Sequence, residues 1–379
     1  MPRTAIVVGA GIGGLAAAVA LQRRGWRVRV FERAASPREL GFALLLAPNA
    51  MLALEALGLA DTARRGGVVV THGEMRRPDG YVLRRFDVTR LADALGAPAI
   101  AVRRPVLHGA LLQAVDADSL TLSSEVVEIV DSGDGVSVTL ASGHSERADV
   151  VVGADGVASV VRRILHPNEG PPRASGLLAV RGVAYDVVQF LEGSSGSQYF
   201  GRGIEAGLGR TSETSIYWYL SVSAAFAGAD RDPGVVRDRC LTAFHAAFRA
   251  IVAATKPDEM RLDELFDREP LDQWGRGRAT LLGDAAHPML PHAGQGAAQA
   301  LEDAVELARA LDATNDASTA LRRYETARAK RTRAIVMLSR RNARIGSLDN
   351  GVACWLRDTA IGFIPESLIL RSLIALNRT

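Results

Sequence analysis

Residues 4–33 read Thr4-Ala-Ile-Val-Val8, then Gly9-Ala-Gly11-Ile-Gly13-Gly14, then Leu15-Ala-Ala-Ala-Val-Ala-Leu21-Gln-Arg-Arg24-Gly25, then Trp26-Arg-Val-Arg-Val-Phe31-Glu32-Arg33. The apolar run reads as a buried strand and the glycines as a turn. Leu15 to Arg24 reads as a helix closed by Gly25, and Arg27 to Phe31 as a second strand ending at Glu32. The acid stands roughly twenty positions after the first glycine, which is the spacing of a dinucleotide-binding unit. Gly9 permits the tight turn, Gly11 lets backbone approach a pyrophosphate, and Gly14 lets helix and strand pack closely. The phosphates would meet a helix N-terminus. A carboxylate at Glu32 accepts hydrogen bonds from an adenosine ribose and repels a 2′-phosphate, which favours FAD or NAD over NADP at this site.

The remaining chain bounds the reading. Its 379 residues, 48% apolar and 23% charged, are ordinary globular proportions and exclude a disordered or collagenous chain. The length exceeds what one core supports, so two domains are expected. Forty-five basic against 42 acidic residues give a formal charge of +3, too slight for a nucleic-acid surface. Lysine occurs only at Lys256 and Lys330, so arginine supplies nearly all the positive charge. Cys240 and Cys354 are too few for a disulfide framework or a thiolate metal site, so no metal is expected and a reducing cytoplasm fits. The apolar run Ala5 to Leu21 imitates a signal peptide. Four glycines interrupt it and cleavage would remove the nucleotide motif, so the expectation is a cytoplasmic chain with no membrane span.

Two further stretches repeat the strand, turn, helix order. Ala148-Asp-Val-Val-Val-Gly153-Ala-Asp155-Gly156-Val-Ala-Ser159-Val-Val-Arg162 is a buried strand entering an Asp-Gly turn; alone, it reads as structural. Ala279-Thr-Leu-Leu-Gly283-Asp284-Ala-Ala-His287-Pro288 is followed by Pro291-His292-Ala-Gly294-Gln295-Gly296 and by helical periodicity through Leu301, Ala304, Val305 and Ala308. Asp284 leaves its strand where it could meet a sugar hydroxyl. The glycines bare backbone N–H groups at a helix start, where an anion belongs.

Taken together and in this order, the three motifs resemble the single-component, FAD-dependent aromatic hydroxylases, the p-hydroxybenzoate and salicylate hydroxylase-like flavoproteins. Arg38-Glu-Leu-Gly41 through Pro48-Asn49 and Leu57-Gly58-Leu59 resemble that family's region beside the flavin ring, and Arg104-Pro-Val-Leu107 its Arg-x-x-Leu element. The chain departs from the family in carrying the bulky Phe42 where many members have a small residue, and Ala298 where asparagine is frequent. The resemblance implies an α/β fold: a Rossmann-like FAD-binding domain from residues 1–70, 101–172 and 273–312, a smaller mixed β-sheet substrate domain from 71–100 and 173–272, and C-terminal helices over 313–379. It implies FAD contacts from Gly9, Gly11, Gly13, Gly14, Glu32, Arg33, Arg104 and Val126. Asp155, Gly156, Asp284, Gly294, Gln295, Gly296, Ala297 and Ala298 would complete them.

In the middle of the chain, Leu177 to Val183, Gly196 to Phe200 and Ser215 to Val222 alternate like strands. Tyr199, Tyr217, Trp218 and Tyr219 concentrate aromatics there, readable as sheet core or as a substrate wall. Ala320 to Arg344 reads as an amphipathic helix with a solvated, arginine-rich face.

A flavin carries the difficult chemistry itself, which suits a sequence with no nucleophile elbow, zinc cluster or phosphate-loop lysine. In the resembled family NAD(P)H reduces FAD and O2 adds to give a C4a-hydroperoxide, whose distal oxygen passes to an electron-rich carbon of a small aromatic substrate. Pro291 and His292 would lie beside the ring as catalytic residues, with His292 orienting a phenol or shuttling its proton, or simply packed. His287 carries the same ambiguity. No second nucleotide motif exists for the nicotinamide, as suits transient NAD(P)H binding. The alternatives are epoxidation or Baeyer–Villiger oxygenation on the same scaffold, or a non-catalytic flavoprotein; the Trp-x-Trp-x-Ile halogenase signature is missing.

Overall fold

The strand Thr4–Val8 lies at the centre of a five-stranded sheet. Its order is Ala279–Leu281, Val150–Gly153, Thr4–Val8, Arg27–Phe31, Leu120–Thr121, and every pair runs parallel. Such a sheet is covered on both faces, which is why its strands are near-continuous apolar runs. The computed structural model describes residues 3–36, 42–191 and 194–378. Register is what matters for the site: Val8 pairs with Gly153 and Gly153 with Leu281, so three strands end side by side. Each leads directly into one of the three motifs, and their loops converge at the carboxyl edge of the sheet, where open α/β sheets bind ligands.

The run Ala5 to Leu21 is thus central strand and first helix. Helix Ile12–Gln22 is packed against helix Gly296–Asp312, with Leu15, Ala16, Ala17 and Ala18 fully buried. Small side chains allow that close approach. A Cβ on Gly14 would sit 1.9 Å from the Gly9 carbonyl oxygen, and Gly9 itself turns at φ +105°. No other residue type fits this pair of positions.

A seven-stranded sheet forms the second layer, ordered Met260–Asp267, Arg173–Tyr185, Ser215–Ser223, Ile204–Arg210, Gly196–Phe200, His72–Arg76, Val82–Asp87. It is mixed, because Gly196–Phe200 runs parallel to His72–Arg76 while the other pairs are antiparallel. The alternation of Ser215–Ser223 divides its aromatics between two roles. Trp218 is fully buried with its Nε1–H donated to Thr255 Oγ1 at 2.7 Å, and Tyr199 is buried against Phe244 and Phe248. Tyr217 and Tyr219 point to the other face and keep accessible surface.

The C-terminal part is helical: Ala317–Gly346, Gly351–Phe363 and Glu366–Asn377. The arginine-rich face expected on the first of these is not wholly solvated. Arg328 is buried, with Nε donating to Asp303 Oδ1 at 2.7 Å, Nη1 to Glu302 Oε2, and Nη2 to Gln299 Oε1 at 2.6 Å. Arg340 likewise meets Asp267 Oδ2 at 2.7 Å. Facing carboxylates on neighbouring elements, invisible to helical periodicity, draw these cations inward. Among the described residues no single helix is long and apolar enough to cross a membrane.

Candidate active site

The converging loops enclose a cavity of about 380 Å³. Gly9, Gly11 and Gly13 wall it from the first motif, Asp155 and Gly156 from the second, and Asp284, Gly296 and Ala297 from the third. Glu32, Arg33, Arg104 and Val126 complete the sequence-derived set on its surface. The other four stand back from it. Gly14 is the packing contact described above, and Ala298 is buried core. Gly294 forms a left-handed turn at φ +62°, and Gln295 is buried, accepting a hydrogen bond from Asn49 Nδ2 at 2.9 Å. Arg38 to Gly41 lie outside the described residues.

The cavity's chemistry suits a long, phosphate-bearing cofactor. Gly11 is the N-cap of helix Ile12–Gln22 without a side-chain cap, and space lies open where a Cβ would stand. Unpartnered N–H groups and the positive helix end therefore face a gap shaped for an anion. Helix Gly296–Asp312 also starts without a side-chain cap. Glu32 is held by two backbone donors, Ala10 N–H to Oε2 and Ala34 N–H to Oε1, each at 2.8 Å, which fixes its carboxylate at the cavity edge.

Asp155 has a double role. Its Oδ2 accepts from Val160 N–H at 2.6 Å and Val161 N–H at 3.2 Å, and its Oδ1 from the Ser159 hydroxyl, so it caps helix Val160–Leu165 while walling the cavity. Burial holds its carboxyl above the usual value. Asp284 stands open to the cavity yet deep within the protein. That depth raises its carboxyl, with His287 and Arg104 pulling the other way. Burial lowers the Arg104 guanidinium from its usual value, and Asp284 opposes this. His287 is held in the core: its Nε2 lies 2.6 Å from Asp303 Oδ2, which also accepts Gly283 N–H at 3.0 Å. The Arg328–Asp303–His287 chain thereby fixes the loop that presents Asp284.

A second, smaller polar cluster sits on the seven-stranded sheet, where His292 meets Ser221 and Glu205. Pro291 is exposed, while the His292 imidazole is nearly covered. His292 Nε2 is 3.3 Å from Ser221 Oγ and 3.8 Å from Glu205 Oε2, and its Nδ1 is buried without a hydrogen-bond partner among the described residues. Burial, helped by Arg181, pushes the imidazole down to about 4. Glu205 was not evident from sequence. Its Oε1 accepts from Gln198 Nε2 at 2.9 Å and from the Tyr219 hydroxyl at 3.1 Å, and burial pushes its carboxyl up to about 7. The two shifts share one cause, the cost of burying charge, so between about 4 and about 7 both groups are mainly neutral. Phe42 stacks on Tyr217 with ring centroids 6.3 Å apart, two residues before Leu44 on the cavity wall. The strand Ala43–Leu46 thus joins cluster to cavity.

The family described as FAD binding domain matches residues 3–339. Aurachin C monooxygenase/isomerase of Stigmatella aurantiaca is 36% identical over 356 residues, covering 94% of this chain and 92% of that protein. The 2-heptyl-3-hydroxy-4(1H)-quinolone synthase of Pseudomonas aeruginosa is 32% identical, covering 96% of this chain and 95% of that one. Among solved structures, Klebsiella pneumoniae HpxO complexed with FAD and uric acid superposes with a TM-score of 0.93 at 27% identity, covering 99% of this chain and 96% of HpxO.

Proposed function

Because the chain belongs to the FAD binding domain family of single-component, FAD-dependent aromatic hydroxylases, we propose that it is an NAD(P)H-dependent monooxygenase acting on a small, neutral, fused heteroaromatic ring. The observation that carries the reading is the meeting of three distant motifs on one anion-suited cavity with an aromatic, net-neutral polar cluster beside it. Bound FAD, reduced by NAD(P)H, supplies the activation of O2; the protein's share is binding, orientation and exclusion of water.

Gly11 and Gly13 would hold the pyrophosphate of bound FAD through backbone N–H groups, with Gly9, whose own N–H is donated to the Phe31 carbonyl at 2.8 Å, making the turn; Glu32 would take the adenosine ribose with Arg33 and Val126 beside it. Asp155, Gly156 and Arg104 would hold the middle of the cofactor, and Asp284 its sugar-alcohol chain. Gly294 to Ala298 would present a helix start to the flavin ring, where a positive end would favour the reduced, anionic form by up to ~2 kcal/mol. Residues 1–70, 101–172 and 273–312 form this nucleotide half, 71–100 and 173–272 the substrate half, and 313–379 a helical buttress.

Tyr217 and Phe42 wall the substrate ring, and Pro291 closes its edge. At about 4, His292 stays neutral at working pH and keeps one ring nitrogen as a hydrogen-bond acceptor, so it orients a substrate O–H or N–H. Glu205, at about 7, is part ionised at neutral pH, and its carboxylate form is the group able to hold a proton that the substrate releases. Arg181 and Arg261, the latter over the Phe42 ring, both pair with Asp263, at 3.7 and 2.7 Å, so neither stands as an unpaired cation for a carboxylate, which supports a neutral substrate over a benzoate. Quinolone-type rings fit this description: one relative is named a quinolone synthase, and the similar HpxO structure holds uric acid. The free, buried Cys240 and Cys354 support a cytoplasmic setting, and the reading requires no nucleic acid.

The test is NAD(P)H consumption by the FAD-loaded protein across quinolones, purines, phenols and benzoates under isotopically labelled O2. Faster oxidation with a neutral bicyclic ring, and one labelled oxygen in its product, is expected. Stimulation by benzoates alone overturns the substrate class, and consumption indifferent to every ring overturns the hydroxylase reading.

A further inference from the structure

Helix Gly351–Phe363 carries its apolar residues on the wrong side for a core helix. Val352, Trp355, Leu356 and Phe363 recur at helical spacing and are 68%, 64%, 55% and 81% exposed. The opposite face is anchored: Cys354, Arg357 and Ile361 are buried, and Arg357 donates through Nη1 and Nη2 to the Gly201 and Phe200 carbonyls at 3.1 Å. Beyond a 94° bend, helix Glu366–Asn377 continues the surface through Ile364, just ahead of it, and Leu368. Of sixteen large apolar side chains left exposed among the described residues, eight fall between Met337 and Leu368. Scattered exposed apolar residues mean little, whereas a contiguous stripe marks an interaction surface.

The charges beside the stripe indicate its occupant. Arg341 and Arg344 stand exposed just before it, on the same turn as exposed Ile345, and Arg371 lies one turn beyond Leu368. Between residues 341 and 378 the exposed ionisable side chains are Arg341, Arg344, Arg371 and Arg378, against Asp349 alone. Asp358 is turned to Arg357, and Glu366 accepts Asp87 N–H at 2.9 Å. Apolar residues including a tryptophan, bordered by arginines, suit the boundary between acyl chains and anionic headgroups. A two-fold contact along the same stripe would bring arginine-bearing ends together with little acid to offset them, which argues against a second copy. The 94° bend and the anchored inner face favour lying on a surface over spanning it.

We propose that the outward face of helices Gly351–Phe363 and Glu366–Asn377 docks this protein, lying in the interface plane, on an anionic phospholipid surface. The proposal is independent of the reaction assigned above. The FAD-loaded protein is to be sedimented with phosphatidylcholine vesicles and with vesicles containing phosphatidylglycerol. Cosedimentation is expected with the latter, weakened by salt, together with a blue shift of Trp355 fluorescence; Trp26, Trp218 and Trp274 are buried and should report little. Trp355→Ser/Phe363→Ser should retain its flavin absorbance and lose at least tenfold in vesicle partitioning. Arg341→Gln/Arg344→Gln/Arg371→Gln should lose the preference for anionic vesicles. Protein remaining in the supernatant overturns the proposal, as does partitioning unchanged in the serine variant. So does light scattering that shows a dimer, dissolved by the serine variant, in protein that ignores vesicles.

Discussion

Glu205→Gln should stabilise this protein, and only above a defined pH. The carboxyl is pushed from an ordinary 4.5 to about 7 by burial. Below 4.5 both folded and unfolded chains hold the proton. Between 4.5 and about 7 the folded chain keeps it while the unfolded chain releases it, so stability falls as pH rises. At ~1.4 kcal/mol per pH unit across that interval, the accumulated cost is ~3 kcal/mol, level thereafter. The amide retains an oxygen for Gln198 and Tyr219 and has no proton to lose, so the variant escapes this cost. His292, lowered from 6.5 to about 4, contributes a slope of opposite sign: stability is lost as pH falls from 6.5 towards 4. Both proteins share that slope, so it cancels in their difference. The assay is denaturation of the two FAD-saturated proteins at several pH values from 5 to 8.5. A melting temperature difference near zero at the acid end, growing to roughly 4 °C in favour of the variant at pH 7 and then constant, is expected for a chain of this size. A difference that does not vary with pH, or that favours the wild type at neutral pH, refutes the reasoning.

Three other outcomes can be checked directly. Gly14→Ala drives a methyl against the Gly9 carbonyl and should yield no soluble flavoprotein, whereas the Gly11→Ala methyl meets only open space and should fold normally yet bind FAD at least tenfold more weakly by titration. Asp303→Asn strips Arg328 and His287 of their shared partner and should cost ~3–5 kcal/mol by denaturation; since the Asp303 carboxyl sits at about 2, the wild type should shed this contribution only as pH falls from the ordinary 3.8 towards 2. His292→Asn should retain its flavin and lose ~10²-fold or more in substrate-stimulated NAD(P)H oxidation, and an unchanged rate would return His292 to a packing role.

The parallel sheet and its cavity were legible because they rest on local signals: apolar runs, glycines with one permitted conformation, and acids at strand ends. Glu32, Asp155 and Asp284 could be singled out, though Asp155's second role as helix cap lies in three-dimensional geometry. The strand Ile204–Arg210 was missed, and Glu205 with it. Gly207 and Gly209 deprive it of strand-like alternation, yet Gly207 is opposite Tyr219, whose ring a Cβ there would approach to 2.2 Å. Cross-strand fit of this kind has no sequence period. The burial of Arg328 and Arg340 was equally hidden, because a helix wheel shows which face a residue is on but not which carboxylates a distant element brings to it.

The side-by-side ending of Val8, Gly153 and Leu281 also has a consequence for biosynthesis. A ribosome adding ~5–20 residues per second completes Val8 on the order of ten seconds before Gly153, and Leu281 emerges later still. The most apolar stretch near the N-terminus thus waits without either neighbour on one of its sides, and nascent chains should rely on chaperones until the late segment arrives.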